Sequence, residues 1–398
     1  MSVTAARGFR AAGVAAGLKP SGAPDLALVV NDGPHDVAAG VFTTNRVVAA
    51  PVVWSRQALA PACGQEGGRA RAVVLNSGSA NACTGARGVR DTEATAMHVA
   101  GLLGCDPAEV LVCSTGVIGE PLDMPRLLDG ADVAALCLEA TPTAGTAAAT
   151  AIMTTDTVSK EEVLTVGSGS ARWTVGGMIK GVGMLAPAMA TMLAVVTTDA
   201  VVAPGAARQA LGTAAARTLN RISSDGCMST NDTVVLLASG ASGVSVSPEE
   251  LEEAVTEVLA RLGRRLVADA EGATHDIAVT VTGALSEAAA EAAARTVAAS
   301  TLLRCAVAGQ DPNWGRVLAQ LGTVPEAVCP FDPDQVDVAI NGVTVFRHGG
   351  VGEDRSGVDM SPRETRIDID LHSGQAQATV WTNDLTHGYV SINADYTT

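Results

Sequence analysis

The sequence predicts a mixed α/β protein with substantial antiparallel sheet. Strand-like and helix-like apolar patterns alternate along 398 residues without a clear linker or repeat, one long capped helix stands in the second half, and two hairpin patterns follow it. In chain order, Glu109-Val-Leu-Val-Cys-Ser114 reads as a strand leading into a Thr115-Gly116 turn. Gly181 to Thr198 is then a run of eighteen residues without a charge. Ser247-Pro-Glu-Glu250 is a capping box with proline at the first helical position. Behind it, Leu251, Val255, Val258, Leu259 and Leu262 recur at helical spacing and define an apolar face. A further helix is expected to begin near Ser286. Gln335 to Ile340 is expected to turn at Asn341-Gly342 into Val343 to Phe346, and Arg366 to Leu371 to turn near Ser373-Gly374 into Ala376 to Trp381. Ile367, Ile369 and Leu371 alternate with Asp368 and Asp370, which gives that last pair one buried face.

Composition sets outer limits. With 47% hydrophobic but only 3% aromatic residues, a large core must be built from Ala, Val and Leu. A net charge of −16 argues against nucleic acid and against anionic membranes as partners. The eight cysteines form no C-x-x-C pair and no zinc-like spacing with histidine, so neither a disulfide framework nor a metal is expected, and most should be buried small apolar residues. The N-terminal stretch around Arg7 and Arg10 lacks the apolar core of a secretion signal, and a reducing cytoplasm is the expected location.

The uncharged run carries the most chemistry. If the Ala190 to Thr191 bond breaks, Thr191 gains an α-amino group with a pKa of about 7.7–8.0, able to act as general base for its own hydroxyl. The cut itself is plausible, because the Thr191 hydroxyl can attack the preceding carbonyl and turn the amide into an ester. Gly181, Gly183, Ala186 and Ala190 leave room for unusual backbone, and Pro187 opposes an ordinary helix. Other readings of the same letters stand beside this one. Length would permit a membrane span, but Pro187, two glycines and three threonines interrupt it and no Trp or Tyr flanks it. Gly181-Val-Gly183-Met-Leu-Ala186 fits a dinucleotide fingerprint in letters only, since Pro187 falls where its helix should be under way. A buried apolar strand suits the run as well as a processing site does.

Resemblance separates these readings. Lys180-Gly-Val-Gly-Met-Leu-Ala-Pro-Ala-Met-Ala-Thr191-Met-Leu resembles the processing site of the ornithine acetyltransferase family, also called the glutamate N-acetyltransferases of arginine biosynthesis. Further segments match from end to end: Ala39 to Arg46, Asn76 to Gly85, Cys113 to Gly119, Ile152 to Asp156, Asn220 to Gly226, Ser229 to Thr233, Asp311 to Arg316 and Asn383 to Thr386. Ser79 departs from the asparagine expected there and touches none of the proposed chemistry.

The resemblance implies a double displacement. Thr191 takes the acetyl group of N-acetylornithine, ornithine leaves, and the glutamate α-amine collects the acetyl group. It further implies that the Thr115 hydroxyl and the Gly116 N–H form the oxyanion hole, and that Lys180, Thr154, Glu271, Asn393 and the C-terminal Thr398 contact substrate. These types suit a ligand carrying a carboxylate, an amide and a cationic amine: Glu271 would meet the ammonium, and Lys180, Asn393 and the hydroxyls the oxygens. Only three of the 26 basic residues are lysines, Lys19, Lys160 and Lys180. In so arginine-rich a chain, a retained lysine points to a site that needs a compact ammonium.

For architecture, the family implies an α-β-β-α layered sandwich with a smaller α/β part. It would consist of two fragments that stay together, residues 1–190 and 191–398, paired into an α2β2 assembly. No cofactor is expected, and acetyl-CoA is left open as a second acetyl donor. A rival from another class is an N-terminal-nucleophile amidase or aminopeptidase, which would hand its acyl group to water; the Thr191 motif favours the transferase.

Overall fold

Sixteen strands fall into three sheets among the described residues, which are 2–60, 67–183 and 192–395 of this computed structural model. The first half runs β1 (Phe9–Val14), β2 (Leu26–Asn31), β3 (Val37–Phe42), α1 (Ala50–Ala58), β4 (Gly68–Arg69), β5 (Ala72–Ser79), α2 (Gly85–Leu103) and β6 (Val110–Val117). It continues through α3 (Met124–Leu136), α4 (Pro142–Ala151), β7 (Lys160–Val166) and β8 (Trp173–Lys180). The second half adds β9 (Leu193–Thr198), α5 (Pro204–Arg217), β10 (Thr233–Ala238), α6 (Pro248–Ala268), β11 (Asp276–Ala284), α7 (Glu287–Ala298), α8 (Thr301–Ala308) and α9 (Trp314–Leu321). It closes with β12 (Asp337–Ile340), β13 (Val343–Arg347), β14 (Gly350–Val351), β15 (Glu364–Asp370), β16 (Ala376–Asn383) and α10 (His387–Asp395).

The expected four layers are present. The first sheet has the order β1-β2-β5-β6 and the second β4-β3-β10-β9-β8-β7. Between them lies a core of Ala11, Val29, Val73, Leu75 and Leu111 from the first and Met178, Leu193, Val195, Val235 and Leu237 from the second. α2 and α3 cover the outer face of the first sheet through Ala96, Val99, Leu127 and Ala131. α5 and α6 cover the outer face of the second. β8, β9 and β10 are buried along their whole length, which is why they read as continuous apolar runs and not as alternating ones. The buried-strand reading of the uncharged run therefore holds for Leu193–Thr198.

α6 is the helix expected from its capping box: the Ser247 hydroxyl accepts from the Glu250 N–H, and the Glu250 carboxylate accepts from the Ser247 N–H. Its stripe from Leu251 to Leu266 is buried, each leucine contributing about 1.5–3 kcal/mol. α7 starts at Glu287 behind a Ser286 cap, as expected.

The third sheet, β14-β13-β12-β15-β11-β16, corrects one expectation. The β12–β13 hairpin turns at Asn341-Gly342 as predicted. β15 and β16, however, are not hairpin partners: β11 lies between them, parallel to β15 and antiparallel to β16. Ile277, Val279 and Val281 of β11 are fully buried in the core with α7 to α9, and a strand from earlier in the chain has displaced the local pairing. The short-range turn signal carried no information about it.

Candidate active site

The site is built where the ends of β6 and β8 meet at the seam of the two packed sheets. β6 runs parallel to β5, with Thr115 opposite Ser77 and Gly116 opposite Gly78. Thr115 and Gly116 thus lie within the strand, not in a turn after it as predicted. A Cβ at position 116 would sit 2.3 Å from the Gly78 backbone, and its φ of +129° suits glycine alone, so this close approach of two strand ends requires the residue. Asn231, in the loop before β10, donates to the carbonyls of Ala80 (2.6 Å) and Ser114 (2.8 Å), which locks the end of β6 in place.

Lys180 is the last residue of β8, and its cross-strand partner is Leu193 at the start of β9. Its Nζ donates to the Thr115 hydroxyl oxygen at 3.2 Å, and its side chain is buried. A lysine ammonium has no acceptor capacity, so Thr115 accepts from it and keeps its own O–H free to donate elsewhere. The Met192 N–H donates to Asp232 Oδ1 at 3.0 Å, whereas Oδ2 of that carboxyl is buried with no well-aligned partner. Burial pushes the Asp232 carboxyl well above the usual carboxylate range, against the pull of the Met192 N–H, the Ser229 hydroxyl and the Lys180 charge.

The residues expected to contact substrate come, where described, from two loops and α10. Thr154 follows α4, and its N–H donates to Asp156 Oδ2 at 3.0 Å. Glu271 follows α6; its Oε1 accepts from the Thr155 hydroxyl (2.8 Å) and its Oε2 from Asn393 Nδ2 (3.0 Å). The Glu271 N–H donates to the Val182 carbonyl at 3.1 Å, which docks this loop against the chain leaving β8. Thr386 fixes the same loop by donating to the Gly272 carbonyl at 2.6 Å, a role for the last of the family segments. A cleft of about 290 Å³ opens beside Glu271, lined by Thr155, Thr157, Asp269, Glu271, Gly272 and Ile392. A larger cleft, about 580 Å³, lies by Trp314 and Arg355 and contains none of the expected site residues.

The geometry thus joins Thr115 to Lys180 and Glu271 to Asn393, with Thr154 held beside them through Asp156. Ala190, Thr191 and Thr398 lie outside the described residues. Sequence reasoning missed Asp156, Lys160, Asp232 and Asp269. Asp156 sits inside a segment already singled out, and the scarcity of lysine could have flagged Lys160. The cysteine expectation fails: among the described cysteines only Cys113 and Cys329 are buried, while Cys83, Cys137, Cys227 and Cys305 are exposed. Asp337, His348 and His372 bring ligand-type atoms within 4.8 Å of one another, on a different sheet from Lys180. No helix among the described residues is long and apolar enough to cross a membrane.

Fold and site together define a layered α/β protein in which a buried lysine and a buried hydroxyl meet at the seam of two sheets, with a separate cleft beside Glu271. Comparison with known proteins gives the class a family. The ArgJ family model matches residues 10–398. A relative from Bifidobacterium longum, named arginine biosynthesis bifunctional protein ArgJ, is 58% identical over 398 residues and covers all of both chains. One of the same name from Streptomyces coelicolor is 55% identical over 396 residues, again covering all of both. Among solved structures, ornithine acetyltransferase complexed with ornithine from Mycobacterium tuberculosis is 51% identical, covering 48% of this chain and 96% of that one, with a TM-score of 0.44. The chain belongs to the ArgJ family, the ornithine acetyltransferases that its motifs resemble, and is an N-acyltransferase.

Proposed function

We propose that this protein serves arginine biosynthesis by moving the acetyl group of N2-acetylornithine to glutamate through an acetyl-Thr191 ester. Autocatalytic cleavage between Ala190 and Thr191 would first free the α-amine of Thr191. That amine takes the hydroxyl proton as Thr191 attacks the acetyl carbonyl, and returns it to the departing Nα of ornithine. Glutamate then attacks the ester through its own α-amine, giving N-acetylglutamate and restoring Thr191. The Thr115 hydroxyl and the Gly116 N–H stabilise the oxyanion in both halves. Glu271, oriented by Thr155 and Asn393, binds the cationic end of ornithine; Lys180, Thr154 and Thr398 bind substrate oxygens.

The observation that carries this reading is the Lys180–Thr115 contact at 3.2 Å: it joins two residues 65 positions apart, both assigned to the site on motifs alone, and leaves the Thr115 proton free. Glu271 with Asn393 adds a second such pair. The same threonine would also accept acetyl from acetyl-CoA as a second donor, a second activity with which the word bifunctional in the relatives' name agrees, and the proposal includes no resident cofactor. We assign the processed protein to the cytoplasm as an α2β2 assembly of residues 1–190 and 191–398.

Intact mass spectrometry of the wild type and Thr191→Ala, before and after N-acetylornithine, tests the proposal. Expected are two fragments and an acetyl adduct on the second in the wild type, and one unbroken 40.0 kDa chain without adduct in the variant. An active single chain, or an adduct on another residue, would sink it. Acetylglutamate in excess over free acetate separates the transferase from the hydrolase.

A further inference from the structure

At the seam a lysine stands between two carboxylates. Lys160 Nζ donates to Asp156 Oδ1 (2.7 Å) and Asp269 Oδ2 (2.6 Å), and Asp156 also accepts from the N–H groups of Thr154 and Gly181. The third sheet holds a like-charged pair with no such mediator. Asp337 of β12 lies directly opposite Asp370 of β15 in the antiparallel register, an arrangement that costs stability unless a cation meets it. Among the described residues, neither forms an ion pair with lysine or arginine. The side chains that meet them are two histidines: His348, in the turn between β13 and β14, and His372, just after β15.

We propose that Asp337, His348 and His372 bind a divalent transition metal ion of the zinc class, which clips the β13–β14 hairpin at the sheet edge to β12 and β15. Asp337 Oδ2 is 3.2 Å from His372 Nε2, and Asp337 Oδ1 is 3.7 Å from His348 Nδ1. Donors bound tetrahedrally to one zinc ion at about 2.0–2.2 Å stand about 3.3–3.6 Å apart, and the two separations bracket that spacing. Both turns are held by the same carboxylates: the His348 N–H donates to Asp337 Oδ1 at 3.1 Å and the His372 N–H to Asp370 Oδ1 at 2.9 Å. Asp370 Oδ1 is also 3.6 Å from His372 Nδ1, the nitrogen left over when Nε2 takes a metal. A carboxylate in that place orients a ligating imidazole. A cleft of about 220 Å³ alongside is lined by Asp337, Asp368 and Asp370, so the local field favours cations. Imidazole nitrogens select zinc, cobalt or nickel over magnesium and calcium. The two histidines lie 11 and 35 positions beyond Asp337, which is why no spacing motif announced the site. Its role is structural, and acetyl transfer does not pass through it.

Calorimetric titration of zinc into tag-free, EDTA-dialysed full-length protein tests the site. Expected are one zinc ion per 398-residue unit and a melting temperature that rises with zinc. Asp370→Asn should weaken binding about 10–100-fold, the usual loss for an orienting partner. His348→Ala and His372→Ala should weaken it further and abolish the thermal shift. His98→Ala, which breaks an exposed histidine–aspartate contact of 2.7 Å with no second histidine, should change neither. His348, His372 and Asp370 all have exposed side chains, so the metal-free variants should keep the circular dichroism of the wild type. Zinc bound equally well by the wild type and both histidine variants, or no stoichiometric zinc in the wild type, would overturn the inference.

Discussion

The seam between the first two sheets and the core of the third sheet are both buried, yet they are built from opposite materials. Beneath α7 to α9, the third sheet packs Val, Ala, Ile and Leu against one another and turns Asp368 and Asp370 outward. At the seam, Lys160, Lys180, Asp156 and Asp232 are buried together. Enclosed charge of this kind is weak as a source of stability, because desolvation offsets most of the attraction. Such a cluster is expected where a protein must hold a proton or a charge in place, so the third sheet reads as scaffold and the seam as machinery.

Substitutions can break or sharpen that contrast. The largest effect is expected at Thr115→Val, which replaces the hydroxyl with a methyl in a side chain of nearly the same shape: kcat should fall about 10²–10³-fold, the usual loss for one oxyanion donor. A fall of less than about threefold would take Thr115 out of the oxyanion hole. Next is acid sensitivity. The folded-state pKa of Asp156 lies below its unfolded value, so its contribution is present above about pH 4 and is lost as pH falls toward about 2. On the order of 2 kcal/mol should disappear in that window, read from denaturant midpoints at each pH; no loss there would contradict the ionised network. Glu271→Gln should raise KM for N-acetylornithine about tenfold and leave kcat nearly unchanged, as expected for one charge-assisted contact. A change in kcat alone would place Glu271 in the chemistry instead. The smallest effect belongs to the scaffold. Ile367→Val, at a fully buried position of β15, should cost about 0.5–1.5 kcal/mol in equilibrium unfolding and leave the pH profile of activity where it was. A displaced pH profile would erase the distinction between the two regions.

What was legible in the sequence follows the range of each signal. The Ser247 capping box and the Asn341-Gly342 turn act over a few residues, and both elements formed where they were expected. The supposed pairing of β15 with β16 failed because β11, almost a hundred positions away, outcompeted a local turn. Thr115, Gly116, Lys180, Glu271 and Asn393 were singled out through motif resemblance, which preserves residue identity across long separations, and the fold brings Lys180 to Thr115 and Asn393 to Glu271. Asp156, Lys160 and Asp269 were not singled out, since a buried aspartate that orders backbone N–H groups has the same letter as one on a solvated loop. The cysteines misled for a related reason: their usual burial says nothing about a particular position.

The order of strands in the second sheet has a kinetic consequence. β9 and β10 come from residues after position 191 and lie between β3 on one side and β8 on the other, both from residues before it. If the chain is cut before Thr191 as proposed, that sheet becomes a ladder whose inner rungs belong to one polypeptide and whose outer rungs belong to another. Its assembly from fully denatured material is then a bimolecular encounter, so refolding should slow on dilution where the uncut precursor's does not, and the mature enzyme would keep its shape against a barrier that it cannot readily climb again.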